Sequence, residues 1–285
     1  MKHILIFFTM LSVLVTNAQE KFADGIICTV DYNEYGLTFI TENWICFTKS
    51  EDRNTLMFSR YENNSWTKPI IAPFSGVYPD EYPRFDRTTS RLFFASKRPS
   101  ENDKIKASND IWYVELKNDM WSKPIHLEGN FSTNGIESGA ESSNGIIYFH
   151  SDRKGKGLND VDIYSLPLGA TEDSAKYISV SSEKVDGEPY IFNNGNAMLF
   201  MSAGHNTVGN GDIFLTLFEN DEWTTPTPVD TTGKVNTIDW EYSPVLSPDL
   251  KTLYFTRYVN GQADIFQIDV KLLSNKELQN IANLN

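Results

Sequence analysis

Five glutamates recur along the chain at similar intervals and are the residues best placed to do chemistry. They are Glu34, Glu81, Glu137, Glu188 and Glu241, separated by 47, 56, 51 and 53 residues. If gathered at one place, five carboxylates could bind a hard cation such as calcium or an amine-bearing ligand, because oxygen ligands and a concentrated negative field favour positive charge. The structural alternative is that each accepts hydrogen bonds from backbone N–H groups of a neighbouring unit. No other cofactor is predicted.

No local motif of a known enzyme chemistry accompanies these glutamates. His126, His150 and His205 lack the spacing of a metal site, and two cysteines are too few for a Cys-rich zinc site. The chain has no Gly-x-Ser-x-Gly nucleophile turn and no glycine-rich phosphate loop. Glycoside hydrolysis stays open, because its two carboxyl groups need no common local signature.

Other residues repeat in step with the glutamates and indicate the elements that position them. An apolar strand with a fixed phenylalanine follows each glutamate: Phe47, Phe94, Phe149, Phe200 and Phe255. Four of the five units then carry Asp-Ile-aromatic, beginning at Asp110, Asp162, Asp212 and Asp264. Three units end in Trp-x-x-Pro, at Trp66, Trp121 and Trp223. Turn-forming residues separate these segments, as expected of antiparallel strands.

Four short strands in each unit of about 50 residues are typical of a β-propeller blade. The sequence therefore predicts an all-β fold, a five-bladed β-propeller in a single domain over residues 19–285, with blade units starting near residues 34, 81, 137, 188 and 241. The first strand of a blade lines the propeller axis, so the five glutamates are expected to form a ring at one mouth of the channel.

The two ends of the chain complete this prediction. The fifth unit lacks an outer strand, and we expect the segment 26–30 to pair with it and close the ring. Near the C-terminus, Ser274 and Glu277 have the spacing of a capping box, and Leu278, Ile281 and Leu284 follow at helical intervals. A short C-terminal helix is expected there.

Residues 1–18 are typical of a signal peptide. Lys2 gives a basic start, residues 4–15 are almost wholly apolar, and the segment ends in the small residue Ala18. An apolar run of this length is shorter than the ~20 residues that span a bilayer. We therefore expect an exported protein, periplasmic or extracellular, with no transmembrane segment in the mature chain.

The charge and the cysteines limit the partners and the redox state. A net charge of −13 disfavours binding to nucleic acid and to anionic lipids. In an oxidising compartment Cys28 and Cys46 could form a disulfide, and two buried thiols are the alternative.

The best-kept unit contains Ser247-Pro248-Asp249, Leu253-Tyr254-Phe255 and Asp264-Ile265-Phe266. With these motifs the chain resembles the TolB-like, WD-repeat-like propeller family of bacterial exported proteins, although Leu250 stands where that family's turn carries glycine. The resemblance covers nearly all of the mature chain. It implies a non-catalytic interaction module in the cell envelope, whereas members commonly have six blades and this sequence has five.

Two functions follow from this reading. The first is a non-catalytic module that binds an envelope protein or a polysaccharide, and the alternative is a five-bladed propeller glycoside hydrolase. The polar loops 99–109, 154–161 and 204–211 are candidate binding surfaces. The repeated aspartates are expected to bind turn backbone or a nearby arginine such as Arg98 or Arg153, and the repeated tryptophans to pack at the rim rather than to form a sugar platform.

Overall fold

The computed structural model of the protein describes residues 19–100, 108–154, 161–170 and 175–284. In this part the chain forms five antiparallel sheets, which we call blades 1 to 5; four are built from consecutive strands of one repeat unit, and the fifth also takes in an N-terminal strand. The inner strands are Asn33–Thr41, Asp80–Asp86, Glu137–Ser143, Asp186–Phe192 and Trp240–Leu246. The second strands are Trp44–Ser50, Arg91–Ser96, Ile146–Ser151, Ala197–Ser202 and Thr252–Val259. The third strands are Asn54–Glu62, Asp110–Lys117, Asp162–Pro167, Asp212–Glu219 and Gln262–Asp269.

Short strands of two residues complete the outer edges of the blades. They are Ser65–Trp66 and Ile70–Ile71 in blade 1, Met120–Trp121 and Ile125–His126 in blade 2, Lys176–Tyr177 in blade 3, Glu222–Trp223 and Thr227–Pro228 in blade 4, and Glu20–Lys21 in blade 5. Short 3-10 turns lie at Gly129–Phe131, Asn193–Gly195 and Val270–Leu272. Each inner strand contacts the next, and the last contacts the first. This cyclic order confirms the predicted five-bladed β-propeller.

An N-terminal strand closes the ring as predicted, but it is not the predicted segment. Glu20–Lys21 pairs with Gln267 and Phe266 of blade 5, whereas residues 22–32 form turns and bends. Phe22 extends the contact, because its N–H donates to the Ile265 carbonyl at 2.8 Å and its ring packs on Trp66 and Tyr254. Within 26–30, the apolar side chains of Ile27 and Cys28 are buried against the core without making a strand.

The core consists of five hydrophobic clusters between adjacent blades. Each cluster contains one of the repeated phenylalanines, and all five are at most 1% exposed. Burying a side chain of this size contributes roughly 1.5–3 kcal/mol. The phenylalanine therefore recurs because each blade has an equivalent buried position at its contact with a neighbouring blade.

The two cysteines are free thiols. Cys28 lies in the cluster between blades 5 and 1, where its Sγ accepts the Ile265 N–H at 3.3 Å, and Cys46 lies in the cluster between blades 1 and 2. Successive residues of a strand point to opposite faces, so Cys46 faces away from the cluster that holds its neighbour Phe47. The disulfide does not form because the two thiols lie on opposite faces of blade 1.

The predicted C-terminal helix is present at Lys276–Leu284. Its cap differs from the predicted box, because Asn275 Oδ1 accepts the Leu278 N–H at 3.0 Å while Ser274 Oγ accepts the Thr231 N–H. Leu278 is buried in the cluster between blades 4 and 5, so the helix packs on the ring. No helix in the described ranges has the length and apolar character to cross a membrane.

Candidate functional site

Each inner strand is interrupted by a bulge that carries one residue in the left-handed backbone region. These residues are Gly36, Tyr82, Gly139, Glu188 and Ser243, with φ between 50° and 62°. The register of pairing with the second strand shifts at each of these positions. The bulge therefore defines which residues of the five blades are equivalent.

Alignment on the bulge separates the five predicted glutamates into different positions. Two residues before it stand Glu34, Asp80, Glu137, Asp186 and Glu241. Glu81 lies one position further along its strand, and Glu188 is itself the bulge residue. The five glutamates thus do not occupy one ring, and two aspartates take the equivalent positions in blades 2 and 4.

The equivalent carboxylates are buried and bind the loop that enters their own blade. Glu137, for example, accepts the Thr133 N–H at 3.0 Å and its Oγ1–H at 2.6 Å, and Glu241 makes the same pair of contacts with Thr237. The hydroxyl donors in the five blades are Thr29, Ser75, Thr133, Ser182 and Thr237. The structural alternative expected each carboxylate to accept hydrogen bonds from backbone of a neighbouring unit. The carboxylates do accept structural hydrogen bonds, but the donors belong to the loop that enters the same blade. Calcium or ligand binding by this set stays a prediction.

Arginines at or after the ends of the second strands pair with three of these carboxylates, and not with the repeated aspartates. Arg98 lies 2.6 Å from Asp80 and Arg257 lies 2.6 Å from Glu241, while Arg153 lies 3.6 Å from Glu137. The repeated aspartates contact other groups: His126 with Asp110, Lys154 with Asp162, the Val208 N–H with Asp212 and Lys21 with Asp264.

A pocket of about 370 Å³ opens at the mouth where the inner strands begin, and we call it the axial pocket. Inner strands of blades 2, 4 and 5 contribute to its wall, which places it at the centre of the ring. Its wall includes Tyr82, His150, Glu188, Trp240, Tyr242 and Tyr258. Of the five glutamates predicted to form a ring, only Glu188 is among the described residues that line this pocket.

Glu188 is the carboxyl group of the axial pocket. It is 5% exposed, and Ser243 Oγ donates to its Oε2. Burial raises the pKa of Glu188 to about 7, while the Ser243 hydrogen bond and the Arg84 guanidinium oppose that rise. The group can therefore exist in both protonation states near neutral pH.

Glu81 carries a second carboxylate near Glu188, and three side chains fix it. Tyr35 donates to Oε2 at 2.8 Å, Asn54 to Oε2 at 2.7 Å and Asn109 to Oε1 at 2.5 Å. The charge of Glu81 adds to the rise in the pKa of Glu188. The two glutamates thus have different surroundings, unlike members of a symmetric ring.

His150 supplies a neutral hydrogen-bond donor to the pocket wall. Its Nδ1 accepts the Glu188 N–H at 3.1 Å, so the ring proton sits on Nε2. Burial, assisted by the Arg84 charge, lowers the pKa of His150 to about 4. Gly139 and Gly187 make room for this ring, because a Cβ on either would lie within 3.0 Å of Nδ1.

Arg84 closes the channel beneath the axial pocket. Its side chain is 2% exposed, and it donates to the Leu37 carbonyl at 2.9 Å and the Pro244 carbonyl at 3.4 Å. Its Nε lies 3.7 Å from Glu141 of blade 3, whose pKa burial raises to about 8 against the effect of Arg84. Contacts with blades 1, 3 and 5 place this guanidinium on the axis.

Other predicted features lie away from the axial pocket. Trp66, Trp121 and Trp223 pack against aromatic neighbours on the outer parts of the blades, as predicted. Much of the loops 99–109 and 154–161 lies outside the described residues. Within the described ranges, no group of three or more His, Cys, Asp or Glu is arranged to hold a metal ion, and calcium binding stays a prediction.

The sequence patterns did not identify Tyr82, Tyr242, Ser243 or His150 as residues of an axial site. A signal was available, since Gly36 and Gly139 follow their glutamates by two residues and mark the bulge. Placing Tyr82, Glu188 and Ser243 at that same position would have directed them to the axis.

No protein-family model matches the chain, and no curated protein matches it. Solved structures do match. A glucose dehydrogenase is 11% identical, with a TM-score of 0.53 over 88% of this chain and 98% of that one. An endo-arabinase from Bacteroides thetaiotaomicron is 13% identical, with a TM-score of 0.52 over 84% of this chain and 93% of that one. A GH43 endo-arabinanase from Bacillus licheniformis is 8% identical, with a TM-score of 0.51 over 86% of this chain and 96% of that one.

Two longer matched proteins share only part of their length with this chain. It spans 32% of a prolyl endopeptidase and 53% of a GH43 protein from Bacteroides ovatus. At such identities, the likeness to solved structures establishes the fold alone. The chain is a five-bladed β-propeller with an asymmetric, largely aromatic and apolar pocket on its axis.

Proposed function

We propose that this propeller binds a carbohydrate in the axial pocket. The observation that carries the proposal is the wall of this pocket, where aromatic rings surround one buried carboxyl group and one neutral N–H donor. Aromatic rings cover the apolar faces of a sugar, while a carboxylate accepts from hydroxyl groups and an N–H donates to them. The volume falls within the roughly 300–1,000 Å³ of small-ligand sites.

The proposal joins the two functions considered from the sequence. A glycan-binding module and a glycoside hydrolase can both use a sugar site at the axis, whereas a module that binds protein only does not require a carboxyl group and an N–H donor in a pocket there. Export of the chain, predicted from residues 1–18, would bring the pocket to extracellular or envelope polysaccharides.

Binding is tested by screening the mature chain on a glycan array and measuring the positive sugars by calorimetry. Tyr242→Leu removes an aromatic wall of the pocket and should weaken binding at least tenfold, which corresponds to about 1.4 kcal/mol. Tyr61→Leu, on the outer part of blade 1, is the matched control and should bind like the wild type. Equal loss in both variants would contradict an axial site.

Hydrolysis of a glycosidic bond is the second candidate, and the unequal glutamates favour it. Glycoside hydrolases use one carboxylic acid to protonate the leaving oxygen and one carboxylate as base or nucleophile. Burial keeps Glu188 partly protonated near neutral pH, which suits the acid, and three donors orient Glu81, which suits the second carboxylate.

Hydrolysis is tested by incubating the bound glycans with wild type and with Glu188→Gln. A hydrolase should release shorter sugars, and the variant should lose at least a hundredfold in kcat. Binding without release of product, over a long incubation, would reject hydrolysis and leave the binding proposal intact.

A further inference from the structure

Among the described residues of its wall, the axial pocket presents a carboxyl group without a lysine or arginine beside it. Glu188 lies in the wall with Glu81 close to it, and no lysine or arginine is among the described residues that line the pocket. Arg84 lies beneath, its terminal nitrogens donate to the carbonyls of Leu37 and Pro244, and its charge acts on Glu188 from below the pocket wall. A sugar that carries a carboxylate, sulfate or phosphate would be repelled, whereas a positive group would be attracted.

Aromatic rings around these carboxylates add a second attraction for a cation. The rings of Tyr35 and Tyr82 lie 5.3 Å apart at 58°, and those of Tyr35 and Tyr242 lie 6.3 Å apart at 49°. Trp240 adds an indole at the pocket wall. Faces of such rings attract ammonium groups, with the strongest effect where water is excluded.

His150 adds a requirement that an ammonium group alone does not meet. Its Nδ1 is occupied by the Glu188 N–H, so Nε2–H can only donate, and it has no protein partner in the described chain. A ligand whose ammonium group pairs with Glu188 must therefore also carry an uncharged acceptor, such as a hydroxyl oxygen, to satisfy His150.

We infer that the axial pocket selects an amino sugar with a free, protonated amine, which pairs with Glu188 while a ring hydroxyl accepts from His150. This inference rests on the proposed carbohydrate site and names its ligand class. The acetylated amine of an N-acetyl sugar has no charge, so acetylation removes the attraction to the carboxylate and to the rings.

The test is calorimetry with three matched series at pH 7: glucosamine, galactosamine and mannosamine, each beside its neutral parent and its N-acetyl form. At least one amino sugar should bind tenfold or more tightly than both relatives. Glu188→Gln should abolish that preference. Tyr242→Leu should reduce the preference, and Glu222→Gln, an exposed change on blade 4, should leave it unaltered.

The outcomes separate this inference from the proposed function. Neutral parents that bind as tightly as the amino sugars in every series would overturn the inference and leave the carbohydrate site standing. If none of the nine sugars binds while the glycan array is positive, the inference is likewise overturned and the carbohydrate site stands. Failure of both assays would overturn the inference and the proposed function together.

Discussion

Three residues at the axial pocket hold a backbone conformation that costs free energy. Tyr82, Glu188 and Ser243 have positive φ at the bulge where blades 1 and 3 use glycine. Each non-glycine residue in this region costs roughly 1–2 kcal/mol. Such strain tends to persist at functional sites, and here it directs two side chains to the pocket and one hydroxyl to Glu188.

Ser243 allows this cost to be measured. Ser243→Gly and Ser243→Ala both remove the hydroxyl that Glu188 accepts, but only glycine relieves the backbone. We expect the glycine variant to be about 1 kcal/mol more stable than the alanine variant in urea denaturation, with equal loss of sugar affinity. Equal stability of the two would contradict a strained bulge.

The burial of Glu188 predicts a pH dependence of stability. Its folded pKa of about 7 lies above the ordinary carboxyl value, so the contribution of the protonated group is complete below the unfolded pKa and is lost as the pH rises through 7. Relative to Glu188→Gln, the wild type should lose up to about 3 kcal/mol between pH 4 and pH 8.

Urea denaturation of the two proteins across this pH range checks the prediction. Glu141→Gln serves as a comparison, because burial raises the pKa of Glu141 to about 8 and the loss of stability due to that group should continue to higher pH. Parallel stability curves for wild type and Glu188→Gln would show that folding does not raise the pKa of Glu188.

Closure of the ring depends on a very short element. The pairing of Glu20–Lys21 with blade 5 is reinforced by Phe22, which is 3% exposed between Trp66 and Tyr254. Phe22→Ala should therefore cost about 3–5 kcal/mol, the range for a phenylalanine removed from a core.

Val30→Ala is the matched control, because Val30 lies in the segment first expected to close the ring and is 85% exposed. It should change the free energy of unfolding by less than about 0.5 kcal/mol. Thermal and urea denaturation of both variants measure the difference, and a larger effect from Val30 would contradict closure through Phe22.

For the whole molecule, the repeat was sufficient to predict the number of blades and their buried joints. The phenylalanine at each joint must be large and apolar, so its identity recurs and the sequence reveals it. The inner carboxylate only has to reach a Thr or Ser in the entering loop, and Asp80 or Asp186 does so as well as glutamate.

This freedom explains why the ring of glutamates was not predictable in detail. Glu81 and Glu188 stand close to the aspartates in sequence and repeat at nearly the same interval, although their side chains occupy different places. The bulge is set by backbone geometry and accepts Gly, Tyr, Glu or Ser, so no residue type identifies it. A closing strand of two residues likewise has no periodicity to detect.

The most direct test of the axial site is a crystal structure of residues 19–285 with the sugar that binds most tightly. We expect the sugar in the axial pocket, with its ring against Tyr82 or Tyr242, one group within 3.2 Å of the Glu188 carboxyl and an oxygen accepting from His150 Nε2. A sugar bound on the outer loops, or at the opposite mouth around Arg87 and Tyr190, would contradict it.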